Sequence, residues 1–95
     1  MSRAVESPLK LSVCIITYNR ARYLRGALKR LLVERPLDLD FEVLISDNDS
    51  SDDTEKVVAT FSEQDPRIRY YRQTQNVGAE ANMVAAFRQI GRAHV

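Results

Sequence analysis

The sequence has few of the features that mark secreted, membrane-spanning or nucleic-acid-binding chains. It contains a single cysteine, Cys14, so it forms neither an internal disulfide nor a cysteine-based metal site, which favours a reducing compartment. No apolar run approaches the roughly 18 residues of a membrane span, and residues 1–8 lack the apolar core of a signal peptide. With 14 basic and 13 acidic residues the formal charge is +1, so composition gives no indication of bulk binding to nucleic acid or membrane.

The chain has 95 residues, of which 44% are hydrophobic and 28% charged, as expected for one small globular domain. We predict a flexible leader at 1–8 and the domain itself at 9–89. Residues 90–95 match the in-frame translation of a common sequencing-adapter stretch and are predicted to be a non-native tail without structure. On that interpretation the only histidine, His94, has no catalytic role; the alternative is a natural helix end with Gly91 as its cap.

Apolar patterning predicts that strands and helices alternate. Runs rich in apolar residues predict strands at 9–17, 41–46 and 68–72. The first is expected to be buried on both faces, and the third to have an exposed or edge face. Helical spacing predicts helices near 24–32, 53–62 and 79–90, with Pro36 ending the first. A β-α-β-α-β-α order implies a parallel sheet with right-handed crossovers, an α/β fold of the Rossmann-like kind.

Apolar positions at helical spacing are expected to face the sheet. They are Leu24, Ala27, Leu28, Leu31 and Leu32 in the first helix, Val57, Val58 and Phe61 in the second, and Ala81, Val84, Ala85 and Phe87 in the third. The opposite side of the first helix carries Arg22, Arg25, Lys29 and Arg30. Gly26 lies inside this helix at a cost of about 1 kcal/mol relative to alanine, which close packing on the sheet would explain.

The most informative stretch is the polar turn after the second strand, Asp47-Asn48-Asp49-Ser50-Ser51-Asp52-Asp53-Thr54. Asp47 and Asn48 follow the carboxyl end of the strand, which is where open α/β sheets bind ligands. Their carboxylate and amide can hydrogen-bond a base imide or a ribose hydroxyl. Residues 50–53 are expected to cap the second helix, with Asp52 as N-cap and Glu55 three residues later.

This turn has two other interpretations. A calcium-binding loop of the EF-hand type is excluded, because Asp52 and Val58 stand where that loop requires glycine and glutamate. A purely solvated cap and turn remains an alternative for the residues that lie away from the strand tip.

Two further motifs occur at the corresponding places. Thr17-Tyr18-Asn19-Arg20 follows the first strand and can meet a nucleotide base and ribose, or it is an ordinary polar turn. Asn76-Val77-Gly78-Ala79-Glu80-Ala81-Asn82 opens the third helix. Gly78 can adopt a backbone conformation closed to other residues, and the free N–H groups of a helix start favour a phosphate. A loop with a helix cap is the alternative for this motif.

In their order and spacing the three motifs resemble the N-terminal half of family 2 glycosyltransferases with the GT-A fold, over residues 9–89. Two departures are Ile16, where the family usually has proline, and Asn48, where it usually has a second aspartate. The resemblance implies an incomplete GT-A domain without catalytic residues of its own. It also implies a set of nucleotide-sugar-binding residues, namely Thr17, Tyr18, Asn19, Asp47, Asn48 and Gly78.

The same resemblance implies a hexosyl-type glycosyltransferase that uses a nucleotide-diphospho-sugar donor and an acceptor hydroxyl on a glycan, lipid or protein, with inversion. It implies a divalent metal, Mg²⁺ or Mn²⁺, held by an Asp-x-Asp motif expected beyond the chain end, and a general base downstream. The chain by itself is therefore expected to be an N-terminal fragment that binds neither metal nor nucleic acid and has no turnover. Its expected location is the cytoplasm or the cytoplasmic face of a membrane.

A different class of function is a small nucleotide-binding or flavodoxin-like regulatory module without catalysis. Such domains also alternate strands and helices, but they have five strands where this sequence shows three. A receiver domain would also need paired acids after the first strand, where this chain has Thr17-Tyr18-Asn19. A purely structural piece without any ligand is the third alternative.

Overall fold

The computed structural model describes residues 11–34 and 41–93. Three strands alternate with helices in the order β1 (Leu11–Thr17), α1 (Ala21–Lys29), a π-helical turn (Arg30–Glu34), β2 (Phe41–Asp47), α2 (Thr54–Ser62), β3 (Ile68–Arg72) and α3 (Ala79–Ala93). The predicted α/β alternation is therefore confirmed. The predicted leader, the predicted helix stop at Pro36 and residues 94–95 lie outside the described residues.

The strands form one parallel sheet in the order β1-β2-β3. Every residue of the central strand β2 is buried, as expected for a strand covered by helices on both faces. Phe41, Val43 and Ile45 pack with leucines of α1 and valines of α2 in the main hydrophobic core. The alternate residues of β2 face α3, which contacts β1 and β2 from the other side.

The prediction that the first strand is buried on both faces is wrong. β1 lies at the edge of the sheet, most of its residues are half-buried, and Leu11 and Ile16 are exposed by 43% and 39%. Cys14 is likewise half-buried, and the partial burial raises the pKa of its thiol. The prediction of an edge position for the third strand is confirmed, because β3 pairs only with β2 among the described strands.

Helix α1 buries Leu24 and Leu28 and then passes directly into the π-helical turn, in which Leu31 and Leu32 are half-buried. Ala27 was predicted to be part of the apolar face but is exposed. Gly26 does not pack closely on the sheet either, because a Cβ built at this position would meet no atom within 4 Å. The explanation given above for this glycine is therefore wrong.

The predicted buried face of α3 is also wrong. Asn82 and Ala86 are fully buried, whereas Val84 and Phe87 are exposed by 44% and 59%. The helix is thus rotated from the predicted orientation, because the buried polar contacts of Asn82 set its orientation. Helical structure continues through 90–93, so the expectation of no structure there is wrong, although conformation says nothing about the origin of those residues.

In the described part of the chain, no helix combines the length and the apolar character that crossing a bilayer would require.

Candidate functional site

The three polar motifs meet at the carboxyl edge of the sheet. Thr17, Asp47 and Arg72 stand side by side in the register of the three strands. The ladder continues past the strand ends, where the Asn48 amide donates to the Thr17 carbonyl (2.9 Å) and the Gln73 amide to the Asp47 carbonyl (2.8 Å). Two turns and the start of α3 are therefore gathered at one end of the domain, as expected for a parallel sheet.

Asp47 lies at the centre of this edge and is fully buried. Its Oδ1 accepts hydrogen bonds from the amide of Ser50 (3.0 Å) and from its hydroxyl (2.5 Å). Its Oδ2 accepts a hydrogen bond from the hydroxyl of Tyr70 (2.5 Å). Burial, followed by the bond to this carboxylate, raises the pKa of the Tyr70 phenol well above its ordinary value. Asp47 thus stabilises the turn through buried hydrogen bonds, and both of its carboxylate oxygens already accept from groups of this chain.

Ser50 and Asn19 join the first turn to the second. The hydroxyl of Ser50 accepts from the amide of Asn19 (2.8 Å). In return, Oδ1 of Asn19 accepts from the amides of Ser51 (2.7 Å) and Asp52 (3.3 Å). Asn19 adopts a positive φ of 49°, a region that asparagine tolerates better than most residues. The side chain of Asn19 therefore acts mainly in positioning the two turns.

The expected capping box at α2 does not form. Asp52 Oδ1 accepts from the amide of Thr54 (3.0 Å) and from its hydroxyl, while Oδ2 accepts from the amide of Ala21 (3.1 Å). One carboxylate thus serves the first turns of both α1 and α2, and these bonds, led by the one from the Thr54 hydroxyl, lower the pKa of Asp52. Ser50 is not a cap at all, because its hydroxyl bonds Asp47 and Asn19. Glu55 turns instead toward Arg72 at 3.6 Å.

Asn48 fixes the loop before α3. Its Nδ2 donates to Oδ1 of Asn76 (3.1 Å), and its Oδ1 accepts from the amide of Val77 (2.9 Å). Oδ1 of Asn76 also accepts from the amide of Gly78 (2.8 Å), where the chain takes a positive φ of 87°. The buried Asn48 side chain is therefore the link between the second and the third motif.

Asn82 attaches α3 to the sheet. Its Nδ2 donates to the carbonyl of Ser46 (3.0 Å), and its Oδ1 accepts from the Ser46 hydroxyl (2.6 Å) and from Nε2 of Gln73 (3.2 Å). The side chain is fully buried, so these bonds replace water that it would otherwise require. They fix which face of α3 meets β2.

A cavity of about 220 Å³ opens between the first motif and the start of α3. It is lined by Ile16, Thr17, Tyr18, Arg20, Asn48, Ala79 and Asn82. Thr17 is 96% buried, and its hydroxyl is a buried side-chain polar atom that finds no hydrogen-bond partner among residues 11–34 and 41–93. Tyr18, in contrast, exposes 46% of its surface at the same cavity. A buried hydroxyl that lacks a partner is unfavourable, and its position in a residue that lines the cavity makes Thr17 a candidate contact for a polar ligand.

The described residues do not form a metal site. Within 11–34 and 41–93, no three histidine, cysteine, aspartate or glutamate side chains come together in a way that could hold a cation. Asp49, which is less buried than Asp47, accepts instead from the guanidinium of Arg72 at 3.2 Å. This bond raises the pKa of the guanidinium.

Comparison with known proteins assigns this chain to a family. The model of the family described as glycosyl transferase family 2 matches residues 12–91. The chain belongs to glycosyltransferase family 2. The flavodoxin-like regulatory module considered above is therefore set aside.

Individual relatives agree with this membership. An uncharacterised glycosyltransferase of Mycoplasma genitalium is 38% identical over 79 residues, which cover 80% of this chain and 27% of the relative. An abequosyltransferase of Salmonella typhimurium is 36% identical over 77 residues, which cover 80% of this chain and 23% of the relative. The chain therefore spans about a quarter of the length of these relatives.

A solved structure shows the same fold. A mannosyltransferase from Pyrobaculum calidifontis, determined in complex with GDP-Man and Mn²⁺, superposes with a TM-score of 0.70 at 24% identity. The match covers 90% of this chain and 25% of that one. The family 2 domain described here is thus the corresponding part of a GT-A fold.

Several residues of the site were missed by reasoning from the sequence. Tyr70 and Arg72 come from the third strand, and Ser50 was assigned to a helix cap. The strand pairing contains a signal for Tyr70. Ile45 and Asp47 are two residues apart and lie on the same face of β2, and Tyr70 is the partner of Ile45 on β3, so Tyr70 lies on the face of Asp47. Using that signal requires the register between the strands, which the sequence alone does not supply.

Proposed function

We propose that this chain forms the nucleoside-binding part of a glycosyltransferase that transfers a hexosyl group from a nucleotide-diphospho-sugar to an acceptor hydroxyl with inversion. The observation that carries the proposal is the hydroxyl of Thr17, which is buried and has no partner in the described part of the chain, in a residue that lines the cavity at the carboxyl edge. A hydroxyl both donates and accepts, so it can pair with a carbonyl or an imide N–H of a base. Family membership and the GDP-Man in the mannosyltransferase structure support a nucleotide-sugar donor.

The residues of the site divide into two groups in this proposal. Thr17, Tyr18 and Asn48 line the cavity and contact the nucleoside. The exposed ring of Tyr18 offers a face on which a base can stack. Asp47 and Asn19 hold the two turns in their relative positions, and the full burial of Asp47 makes this its first role.

Gly78 and the start of α3 complete the proposed site. The positive φ at Gly78 turns the chain into the helix, whose first residue, Ala79, lines the cavity. Unpaired amides of a first helical turn stabilise negative charge, so we place the diphosphate on this side. Gly78 acts through the backbone alone, since a Cβ there would meet no atom within 4 Å.

In the proposed reaction the acceptor oxygen attacks the anomeric carbon from the face opposite the diphosphate. The new carbon–oxygen bond forms as the bond to the diphosphate breaks, and the acceptor proton passes to a general base. A divalent metal supplies charge neutralisation to such a leaving group, and the mannosyltransferase named above was determined with Mn²⁺. The described residues contain no cluster of three ligating side chains, and we assign the metal to other parts of the protein, together with the general base that the family resemblance implies. The acceptor in this proposal is a glycan, lipid or protein hydroxyl.

The test is to titrate the chain with uridine diphosphate and, separately, guanosine diphosphate, following amide NMR shifts. We expect shifts at 17–20, 48 and 76–79 with at least one of them. Replacing Thr17 by valine removes one hydrogen bond to the ligand, so affinity is expected to fall by about 2- to 12-fold. The same substitution relieves an unpaired buried hydroxyl, so the free variant is expected to unfold at a higher temperature than the wild type.

Thr60→Val is the matched control, because the Thr60 hydroxyl bonds the Lys56 carbonyl on the exposed side of α2, away from the cavity. It should leave nucleotide affinity unchanged. Absence of any shift with both nucleotides would refute the nucleoside-binding role of the chain. Unchanged affinity in Thr17→Val would refute the role of Thr17 while leaving that of the cavity intact.

A further inference from the structure

The charges of this nearly neutral chain are segregated rather than mixed. Residues 20–34 contain five cations and one acid, Glu34, so the segment carries +4. Since the whole chain carries +1, the remainder carries −3. The overall composition gives no indication of an electrostatic partner. In the fold, five of the cations lie together on the first helix and the residues beside it.

Four of these cations are exposed along the first helix and at its end, and we call them the basic face. They are Arg22, Arg25, Lys29 and Arg30. Arg22, Arg25 and Lys29 follow one another at spacings of three and four residues and therefore share one side of the helix. All four are exposed, on the side opposite Leu24 and Leu28. Helix α1 itself contains no acidic residue.

The basic face is poorly neutralised. Among the described residues, only Lys29 of the four makes an ion pair, with Glu34 at 3.6 Å. The Lys29 side chain is 62% exposed and the Glu34 side chain 50%, so solvent screens this pair. Asp53 lines a cleft between α1 and α2 together with Arg25, but Lys56 lines the same cleft and offsets its charge. Exposed charges of one sign at this density attract a surface of the opposite sign.

Apolar side chains are exposed beside the cations. Tyr23 exposes 72% of its surface within α1, and Val33 exposes 63% in the turn that follows. The guanidinium of Arg20 lies 5.5 Å from the centre of the Tyr23 ring, which brings a fifth cation next to the aromatic side chain. Cations around an exposed aromatic ring are typical of helices that lie in the interface of a membrane.

We propose that the basic face of α1, with Tyr23, docks on an anionic phospholipid bilayer. Clusters of four or more basic residues on an amphipathic helix bind anionic head groups, and the contribution per residue corresponds to about a fivefold change in partitioning. Charge alone would suit a nucleic acid equally. The exposed Tyr23 and Val33 favour the bilayer, because a phosphate backbone offers no apolar layer to receive them.

The face lies on the outer side of the helical layer formed by α1 and α2, whereas the cavity with Thr17 lies between the sheet edge and α3. Tyr23 borders the carboxyl edge, since it lines a smaller cavity together with Arg20 and Thr17, but the four cations of the basic face line neither of these two cavities. The proposal is independent of the nucleoside-binding role, and either can fail without the other.

The test is co-sedimentation of the chain with vesicles made of equal parts of phosphatidylcholine and phosphatidylglycerol, compared with vesicles of phosphatidylcholine alone. We expect binding to the anionic vesicles only, and loss of binding when NaCl is raised toward 1 M, where the Debye length falls to about 3 Å. Arg22→Gln with Arg25→Gln should lower the partition coefficient roughly 25-fold. These side chains are exposed, so circular dichroism should show an unchanged fold.

Two further variants sharpen the result. Arg88→Gln removes an exposed cation from α3, on the opposite side of the sheet, and should leave partitioning nearly unchanged. Tyr23→Ser should weaken binding without altering its salt dependence, since it removes no charge. Equal binding to both kinds of vesicle, or equal loss in Arg88→Gln and the Arg22/Arg25 variant, would overturn the proposal. So would equally tight binding to duplex DNA together with no effect of Tyr23→Ser, which would indicate an unselective polyanion surface.

Discussion

Tyr70 donates a hydrogen bond from its hydroxyl to Oδ2 of Asp47, from one strand to the next, at 2.5 Å. The carboxylate is fully buried, and its other oxygen is bonded to Ser50. When a buried carboxylate loses a hydrogen-bond donor, the free-energy cost of its desolvation is no longer offset by that hydrogen bond. The stability of the carboxyl edge therefore depends on an aromatic residue of the neighbouring strand.

Tyr70→Phe is expected to lower the free energy of unfolding by about 1 to 3 kcal/mol, because it leaves Oδ2 of Asp47 without its donor. The measurement is urea denaturation of the chain. Tyr71→Phe is the matched control on the same strand, since the Tyr71 hydroxyl only accepts from the guanidinium of Arg69 at a half-exposed position. It should change stability by no more than about 0.5 kcal/mol. Equal losses in both variants would contradict the role given to the Asp47 contact.

Ser50 and Ser51 provide a second matched pair. Ser50 is buried, donates to Asp47 and accepts from the Asn19 amide, so Ser50→Ala removes the bridge between the two turns. We expect a loss of about 1 to 3 kcal/mol in the free energy of unfolding. Ser51→Ala should be almost neutral, because the Ser51 hydroxyl is exposed and lies 3.5 Å from Oδ1 of Asn19.

Amide hydrogen exchange gives an independent readout of the same bridge. The amide of Asn19 donates to the Ser50 hydroxyl and should lose protection in Ser50→Ala, while the amide of Ser50, which donates to Asp47, and the amides of α2 keep theirs. Unchanged protection at Asn19 would show that the turns stay together without the Ser50 hydroxyl.

How far the fold could be predicted differs between its parts. Strand and helix order followed from apolar periodicity, and all three motifs could be located, because strand ends and helix starts are local features. The orientation of α3 could not be predicted, because it depends on Asn82, a polar residue buried against Ser46. Periodicity counts apolar side chains and therefore placed Val84 and Phe87 in the core instead of on the surface.

The sequence predicted the positions of the candidate site residues but not the hydrogen bonds that connect them. Asp47 was identified from its place at a strand tip, yet its full burial results from Tyr70 and Ser50, which reach it from β3 and from the turn. Asn48 was expected to face a ligand, and its side chain also fixes the loop at Val77. Such contacts require the register between strands and the φ values of single turn residues, which no local pattern encodes.

Alanine substitutions at Gly26 and Gly78 test the effect of backbone conformation without a change in packing, because both positions have space for a Cβ. Neither Gly26 nor Gly78 would bring a new Cβ within 4 Å of another atom, but Gly26 lies in an α-helix and Gly78 has a φ of 87°. Gly26→Ala is expected to raise the free energy of unfolding by about 1 kcal/mol. Gly78→Ala is expected to lower it by about 1 to 2 kcal/mol, because alanine disfavours the left-handed region.

Thermal denaturation of both variants checks this pair. For a chain of this size a change of 1 kcal/mol corresponds to a shift of about 4 to 8 °C in Tm, so shifts of opposite sign should be readily resolved. A stabilising effect of Gly78→Ala would show that this turn does not need its positive φ in solution.

Acid stability should depend on Asp65. Its two oxygens accept from Nε and Nη2 of Arg67 at 2.9 and 2.7 Å, and the Arg67 hydrogen bond holds the pKa of the carboxyl below its ordinary value of 3.8. A carboxyl with a lower pKa in the folded state stabilises the fold fully above its unfolded pKa. That contribution is lost as pH falls through the lower, folded-state pKa.

We therefore expect Asp65→Asn to be less stable than the wild type at neutral pH, by about 0.2 to 1 kcal/mol for a partly exposed pair. The difference should shrink as pH falls below 3.8, because the wild-type carboxyl then becomes neutral as well. Asp53→Asn is the control, since the Asp53 side chain forms no cap hydrogen bond and no ion pair with the described residues. Urea denaturation of the three proteins across this pH range measures both effects. A constant difference between Asp65→Asn and the wild type at all pH values would assign the loss to side-chain shape and not to charge.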